Sequence, residues 1–314
     1  MDSKFKLSRQ LFLDLSQRIG APAPDPEKNG HGQSDRSGRK AGQTRFHQFS
    51  RACPPKPGTC KMNRKSLKEH LVFAEDCARL AFFFAYDLAG KRPEETLEFI
   101  LRLRSPLYHV ALGLDPEVPQ EIFSTFPDAG SAADFEEKMW SQCRDFILTR
   151  AEKHYPNSLG MGLHGIWQAE CFRFDPPKAE FPGRCAFHIG NARAPESLFA
   201  DRKYVKDHLL QMLDLMGKEY DATEAGTGSW LNSNPLWLRF FPKEWQNNMI
   251  DRPATPLWHL GYWGQIISAR GTCNPKTCRF IREHRTLRYP MRYSWCSIPV
   301  LRQHLINMNE ETLS

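Results

Sequence analysis

The stretch IWQAECFRFDPPKAEFPGRCAFHIGN, residues Ile166–Asn191, is where the chain changes its pattern from helical to extended. Ile166–Phe174 and Arg184–Asn191 are short and rich in aromatics, and the Pro/Gly loop PPKAEFPG separates them. Pro cannot donate to a ladder and Gly admits tight turns, so the two flanks read as a hairpin or as two neighbouring strands. Asp221–Leu231 also reads as extended, ending at the turn Gly226-Thr-Gly228-Ser229. A small sheet built from residues 163–232 or so is the expectation.

Upstream of this stretch the pattern is helical. Ser66 stands as an N-cap with Glu69 at the capping-box position, and Gly90 follows as a terminator, so Ser66–Ala89 reads as a helix. Leu67, Leu71, Ala74, Ala78, Ala81, Ala85 and Leu88 form one stripe, widened by Phe82–Phe84, which marks a core helix. Pro93–Arg104 and Ser131–His154 are expected to follow as helices, the latter with Phe135, Met139, Cys143, Phe146 and Ile147 facing inward. Downstream, Asp201–Met216, Pro242–Met249, Leu257–Ser268, Pro275–His284 and Ile298–Met308 carry helical spacing. Helices before, between and after a few strands make the expected class α+β: a helical N-terminal half, the sheet, and further helices at the C-terminus.

Residues 1–20 read as an amphipathic helix with Leu7, Leu11, Leu15 and Ile19 spaced by four, and residues 21–65 as a flexible basic linker. The linker has ten Lys/Arg against three Asp/Glu and little to bury, so ordering it costs more than it returns. Residues 66–314 are left as one catalytic or binding domain. Asp2 and Asp14 oppose a presequence, no continuous apolar segment opens the chain, and the longest wholly apolar run is Leu80–Tyr86. No membrane association is expected. Nine scattered cysteines without a glycosylation sequon suit a reducing, cytoplasmic setting better than a disulfide framework.

Candidate chemistry gathers between Gly160 and Trp263. Gly160-Met-Gly162-Leu-His-Gly165 spells a dinucleotide fingerprint, but a helix precedes it and a strand follows. That fingerprint works only between a strand and a helix, so the glycines are read as a close-packing device. His164, Glu170 and His188 are the acid/base candidates. On one strand His164 and Glu170 would share a face yet lie about 20 Å apart, so a bend at Gly165 is needed to unite them. A Glu170 buried between Trp167 and Phe172 would have a raised pKa, as a general acid requires. Substrate contact is assigned to Trp167, Asn191, Arg193, Ser229, Trp230, Asn232, His259 and Trp263; Arg193 would hold an anion and the rings would wall a hollow. The bland readings are satisfied buried polar groups, a loop bonded to itself, and aromatic stripes that belong to the core.

The absence of a phosphate cradle favours a cofactor-independent enzyme of isomerase, lyase or cyclase type acting on a largely apolar organic substrate. Two rivals are weighed. Residues 21–65 together with 270–292, where seven Lys/Arg face only Glu283, would suit nucleic acid. The histidines, or the run Cys273-x4-Cys278-x5-His284-x11-Cys296, would suit a divalent metal and hydrolase or oxygenase chemistry.

Overall fold

Ser66 opens the folded body as its side chain dictates. Its hydroxyl accepts from the Glu69 amide at 3.2 Å, and the Glu69 carboxylate takes the Ser66 amide at 2.8 Å. The computed structural model describes residues 66–118, 122–123, 125–159, 168–251 and 257–308, all within one compact unit. The expected helix at 1–20, the linker, His164 and Trp167 lie outside the described residues.

The helical half begins with α1 (Leu67–Lys91), which runs on past Gly90 to a cap at Arg92. Then comes α2 (Leu97–Leu103), shorter than the spacing suggested because Thr96, not Pro93, supplies the N-cap. A π-helical turn, Leu107–Ala111, follows, and α3 (Ala132–Leu159) packs along α1. Phe135, Met139 and Ile147 are buried on the inner face of α3, Cys143 is half-buried, and Phe146 is 47% exposed, contrary to its expected place.

The second half is a sheet with helices on one side. Its strands are β1 (Phe172–Asp175), β2 (Arg184–Ile189), β3 (Glu224–Ser229), β4 (Ile250–Asp251) and β5 (Arg292–Ser297), in spatial order β1-β2-β3-β5-β4. The hairpin β1–β2 is antiparallel, as the Pro/Gly loop required. β2 and β3 are parallel, and the crossover between them contains α4 (Arg202–Tyr220), capped by Asp201 and continuing through Gly217 to a left-handed Asp221. β3 pairs antiparallel with β5, and β4 adds an edge. The sheet therefore reaches beyond residue 232. β5 begins at Arg292, the last residue of the Arg-rich segment 270–292 that had been weighed for nucleic acid. Short helices α5 (Pro235–Leu238), α6 (Lys243–Asn247) and α7 (Leu260–Trp263) connect the strands, the last continuing as a single 3-10 turn to Ile266 rather than as one helix over 257–268. The chain closes with α8 (Pro275–His284) and α9 (Ile298–Asn307), close to their expected spans.

The class is α+β. Two cores form, one around α1, α2 and α3, the other between the sheet and α4 and α9. Phe172, Phe174, Cys185, Phe187, Ala225 and Cys296 alternate onto the second core. Trp237, Phe240, Phe241 and Trp245 complete it, which confirms the core reading of that aromatic stripe.

Arg282 of α8 reaches the half containing α1 and α3. Glu136, 7% exposed, accepts from Arg79 of α1 at 3.0 Å and from both terminal nitrogens of Arg282. Replacing Glu136 with Ala leaves two guanidinium groups facing a vacated site and should cost about 3 kcal/mol of unfolding free energy. Removing Glu137, whose side chain is 68% exposed, should cost less than about 1 kcal/mol. Urea unfolding of the two variants separates these cases, and equal losses would contradict the account.

Candidate functional site

Strand geometry divides the polar residues of the sheet. Residues opposite one another in the register share a face, and neighbours along a strand do not. The pairs Arg173–His188, Asp175–Ala186, Ala186–Gly226, Gly226–Trp295 and Gly228–Tyr293 therefore all lie on the face turned away from the α4/α9 core. His188 Nε2 sits 2.7 Å from Asp175 Oδ2, and both side chains are well exposed, at 40% and 45%. A neutral ring in this contact donates from Nε2 to the carboxylate, which leaves Nδ1 as the basic nitrogen. Arg173 stands across from His188, its terminal nitrogen 3.5 Å from Asp175, while its Nε is buried with no hydrogen-bond partner among the described residues.

On the other side of this face Tyr293 folds back over β3. A Cβ on Gly226 would lie 2.9 Å from the Tyr293 hydroxyl and 3.1 Å from the Trp295 Cβ, so the missing side chain is what lets the phenol lie there. The hydroxyl is thus above the strand next to the one bearing His188, a step of about 4.8 Å. Arg184 closes one end. It is sandwiched between Phe181 at 4.8 Å and Trp295 at 4.3 Å and paired with Glu224 at 2.8 Å. Together these set a His–Asp pair and Arg173 on one side of Ala186 and Gly226, and a phenol and an indole on the other.

A second polar cluster lies where β3 ends against α7. His259 caps α7, its Nδ1 accepting from the Gly261 amide at 3.1 Å, so its proton is on Nε2. The His109 ring, from the π-helical turn, lies 4.8 Å from Trp258, whose own ring is 5.6 Å from His259. Burial pushes the His259 imidazole down to about 4 and holds His109 and His154 below the ordinary imidazole range. Trp258 Nε1 is buried without a hydrogen-bond partner among the described residues.

The other expected site residues divide as follows. Glu170 is exposed, at φ +50° in a two-residue turn where Ala169 and Phe172 exchange backbone bonds, so it is not the buried acid that was expected. Asn191 and Arg193 build their own loop: Asn191 bonds the Glu196 carbonyl and the Arg193 amide, and Arg193 pairs with Glu196 and Asp201 over the Tyr204 ring. Ser229 falls on the core side and caps the turn at Leu231. Asn232 is fully buried, donating to the Thr227 and Arg292 carbonyls and accepting from the indoles of Trp237 and Trp245. Trp230 stacks on Tyr289, and Trp263 is a core ring set edge-on to Phe84. Of the residues expected from sequence, His188 is on the exposed part of this sheet face and His259 in the second cluster. Sequence reading missed Asp175, Arg173, Tyr293 and His109. Asp175 and Arg173 could have been found by pairing the hairpin about its loop; Tyr293 and His109 had no local signal.

The metal spacing does not converge, since Cys296 is in the sheet core and exposed His284 stacks on Phe280. Among the described residues no group of three or more His, Cys, Asp or Glu is placed to hold a metal ion, and no helix is long and apolar enough to cross a membrane. No protein-family model matches the chain, and no significantly similar curated protein or solved structure was found.

Two outcomes follow from this geometry. Asn232→Ala should lose about 3 kcal/mol of stability, because four buried partners lose their hydrogen bonds; a thermal midpoint equal to wild type would return Asn232 to the ligand-binding set. For His259, the unfolded ring takes a proton near 6.5 and the folded ring only near 4. Unfolding therefore binds a proton between those values, and stability present above pH 6.5 falls as pH drops toward 4. His259→Asn keeps an N-cap and should flatten that acid limb by an amount on the order of 3 kcal/mol, read from urea unfolding at stepped pH.

Proposed function

We propose that the protein is a small-molecule enzyme working by proton transfer on the open face of its sheet, in the manner of an isomerase, lyase or cyclase. The observation that carries this reading is the 2.7 Å contact between His188 and Asp175 beside a floor of Ala186 and Gly226. In this reading His188 Nδ1 takes a proton from a carbon or hydroxyl of the substrate, and Asp175 stabilises the imidazolium that results. Arg173, with an unused buried donor, holds an anionic group or the negative charge that develops. The Tyr293 hydroxyl is the proton donor on the far side, and Trp295 lines the apolar part. The substrate is thus an organic molecule with one anionic or polarisable oxygen and an otherwise apolar body, a sharper form of the apolar substrate expected from sequence. Cofactor-independent chemistry and a cytoplasmic setting belong to the same proposal.

The nucleic-acid alternative rests on residues 21–65, which lie outside the described residues, and on 270–292, where three of the seven basic side chains have partners elsewhere in the fold. Arg282 is engaged with Glu136 and lies over Phe83, Arg285 lies over the same ring, and Arg292 pairs with Asp251. These three side chains join elements of the fold, while Arg270, Lys276, Arg279 and Arg288 are exposed.

The test is a saturation-transfer NMR screen of metabolite mixtures against the full chain, followed by turnover assays on the hits. His188→Ala should reduce kcat/KM by ~100-fold or more, and Tyr293→Phe should act on kcat more than on KM, with unfolding midpoints little changed. Hits that bind and turn over equally well in both variants would sink the proposal.

A further inference from the structure

We propose that Cys273 and Cys278 are a peroxide-sensitive dithiol that closes to an intramolecular disulfide. Asn274 is the N-cap of α8, its side chain accepting from the Lys276 and Thr277 amides at 3.1 and 3.3 Å. That assignment puts Cys273 one residue before the cap and Cys278 at the fourth helical position. Residues at those two positions are the ones a helix start brings into side-chain contact, normally as an apolar staple. Here both are thiols, and they hydrogen-bond to each other. The pair is also reachable from solvent, since both residues are half-buried, whereas Cys77 behind them and Cys171, Cys185 and Cys296 around the sheet are buried.

The two thiols are not equivalent. The hydrogen bond from Cys273 holds Cys278 below the ordinary thiol range, and the Arg282 guanidinium, one turn further along α8, acts in the same direction. Cys273 keeps its proton as the donor of that bond, and its Sγ also lies 4.0 Å from the Phe73 carbonyl. Asp76 opposes ionisation of both. Cys278 is therefore the nucleophile and Cys273 the resolving thiol. The Cys278 thiolate attacks one oxygen of hydrogen peroxide, the O–O bond breaks, and hydroxide leaves, giving a sulfenic acid. The Cys273 sulfur then displaces the sulfenic hydroxyl; its proton and that hydroxyl leave as water. Two thiols are oxidised by two electrons and one peroxide is reduced. The closed pair fixes the loop before α8 to the first turn of the helix that carries Arg282.

The test treats the full chain with limiting hydrogen peroxide, then alkylates the remaining thiols after denaturation and maps the peptides. A Cys273–Cys278 linkage, with Cys77 and the sheet cysteines alkylated, is the expected result. A map in which Cys273 and Cys278 both carry label, or in which Cys77 is the main partner of either, overturns the proposal without recourse to any variant. Cys273→Ser should leave a sulfenic acid on residue 278 that dimedone traps. Cys278→Ser should slow peroxide consumption at least ~10-fold, the thiolate being the reactive species. Dimedone adducts on Cys273 and not on Cys278 would reverse the roles and refute the assignment of the nucleophile.

Discussion

A strand can bury only every second side chain when one of its faces is covered, and the molecule's second half depends on that constraint. α4 and α9 cover one side, so Phe172, Phe174, Cys185, Phe187, Ala225 and Cys296 must all point to it. The residues between them are forced to the other side whatever their chemistry. This places Arg173 and Asp175 of β1 beside Ala186 and His188 of β2, and it places Gly226 beneath Tyr293. A register slip of one residue would exchange the two sets and put a histidine and two charges into an aromatic core. The register that keeps the core dry is thus the same one that gathers these groups on the other face.

Asn232 holds that arrangement at the end of β3. Its amide donates to the Thr227 and Arg292 carbonyls, and its oxygen takes the indole protons of Trp237 and Trp245. A polar side chain with four partners in a buried site is more useful as a fastening than as a ligand contact. Arg193 and Asn191 tell the same story at the loop after β2, where their hydrogen-bonding groups are spent on Glu196 and Asp201. Polarity within an aromatic segment marked where the fold needed satisfaction as often as where a ligand could reach.

That distinction sets what was legible in the sequence. The helix at Ser66, the hairpin about PPKAEFPG and the spans of α8 and α9 rest on local signals: a capping box, a Pro/Gly loop, helical spacing. β5 was missed because RYSWCS follows a run of arginines, and its identity as a central strand comes from pairing with β3 some 65 residues earlier, as in Gly228 with Tyr293. Asp175 was passed over for a related reason. It ends the first arm of the hairpin and looks like part of the loop until the register sets it beside Ala186, two residues from His188. Glu170 was misread because a turn at φ +50° has no reliable signature in a residue other than Gly or Asn.

The helical half brings its own histidine toward the end of β3. His109 projects from a π-helical turn, and such turns insert a residue where an α-helix would keep its side chains in register. His259 projects from the cap of α7, whose Gly261 lies so close to β3 that an added Cβ would stand 3.1 Å from the Gly228 carbonyl. That approach sets the neutral imidazole of His259 at the end of the strand between His188 and Tyr293. Two kinds of histidine therefore border β3: one well exposed and in hydrogen-bond contact with a carboxylate, and one that burial keeps uncharged. The proposed proton transfer draws on the first of them alone, with His188 as the base, while His259 keeps its proton on Nε2 and spends Nδ1 on the cap of α7.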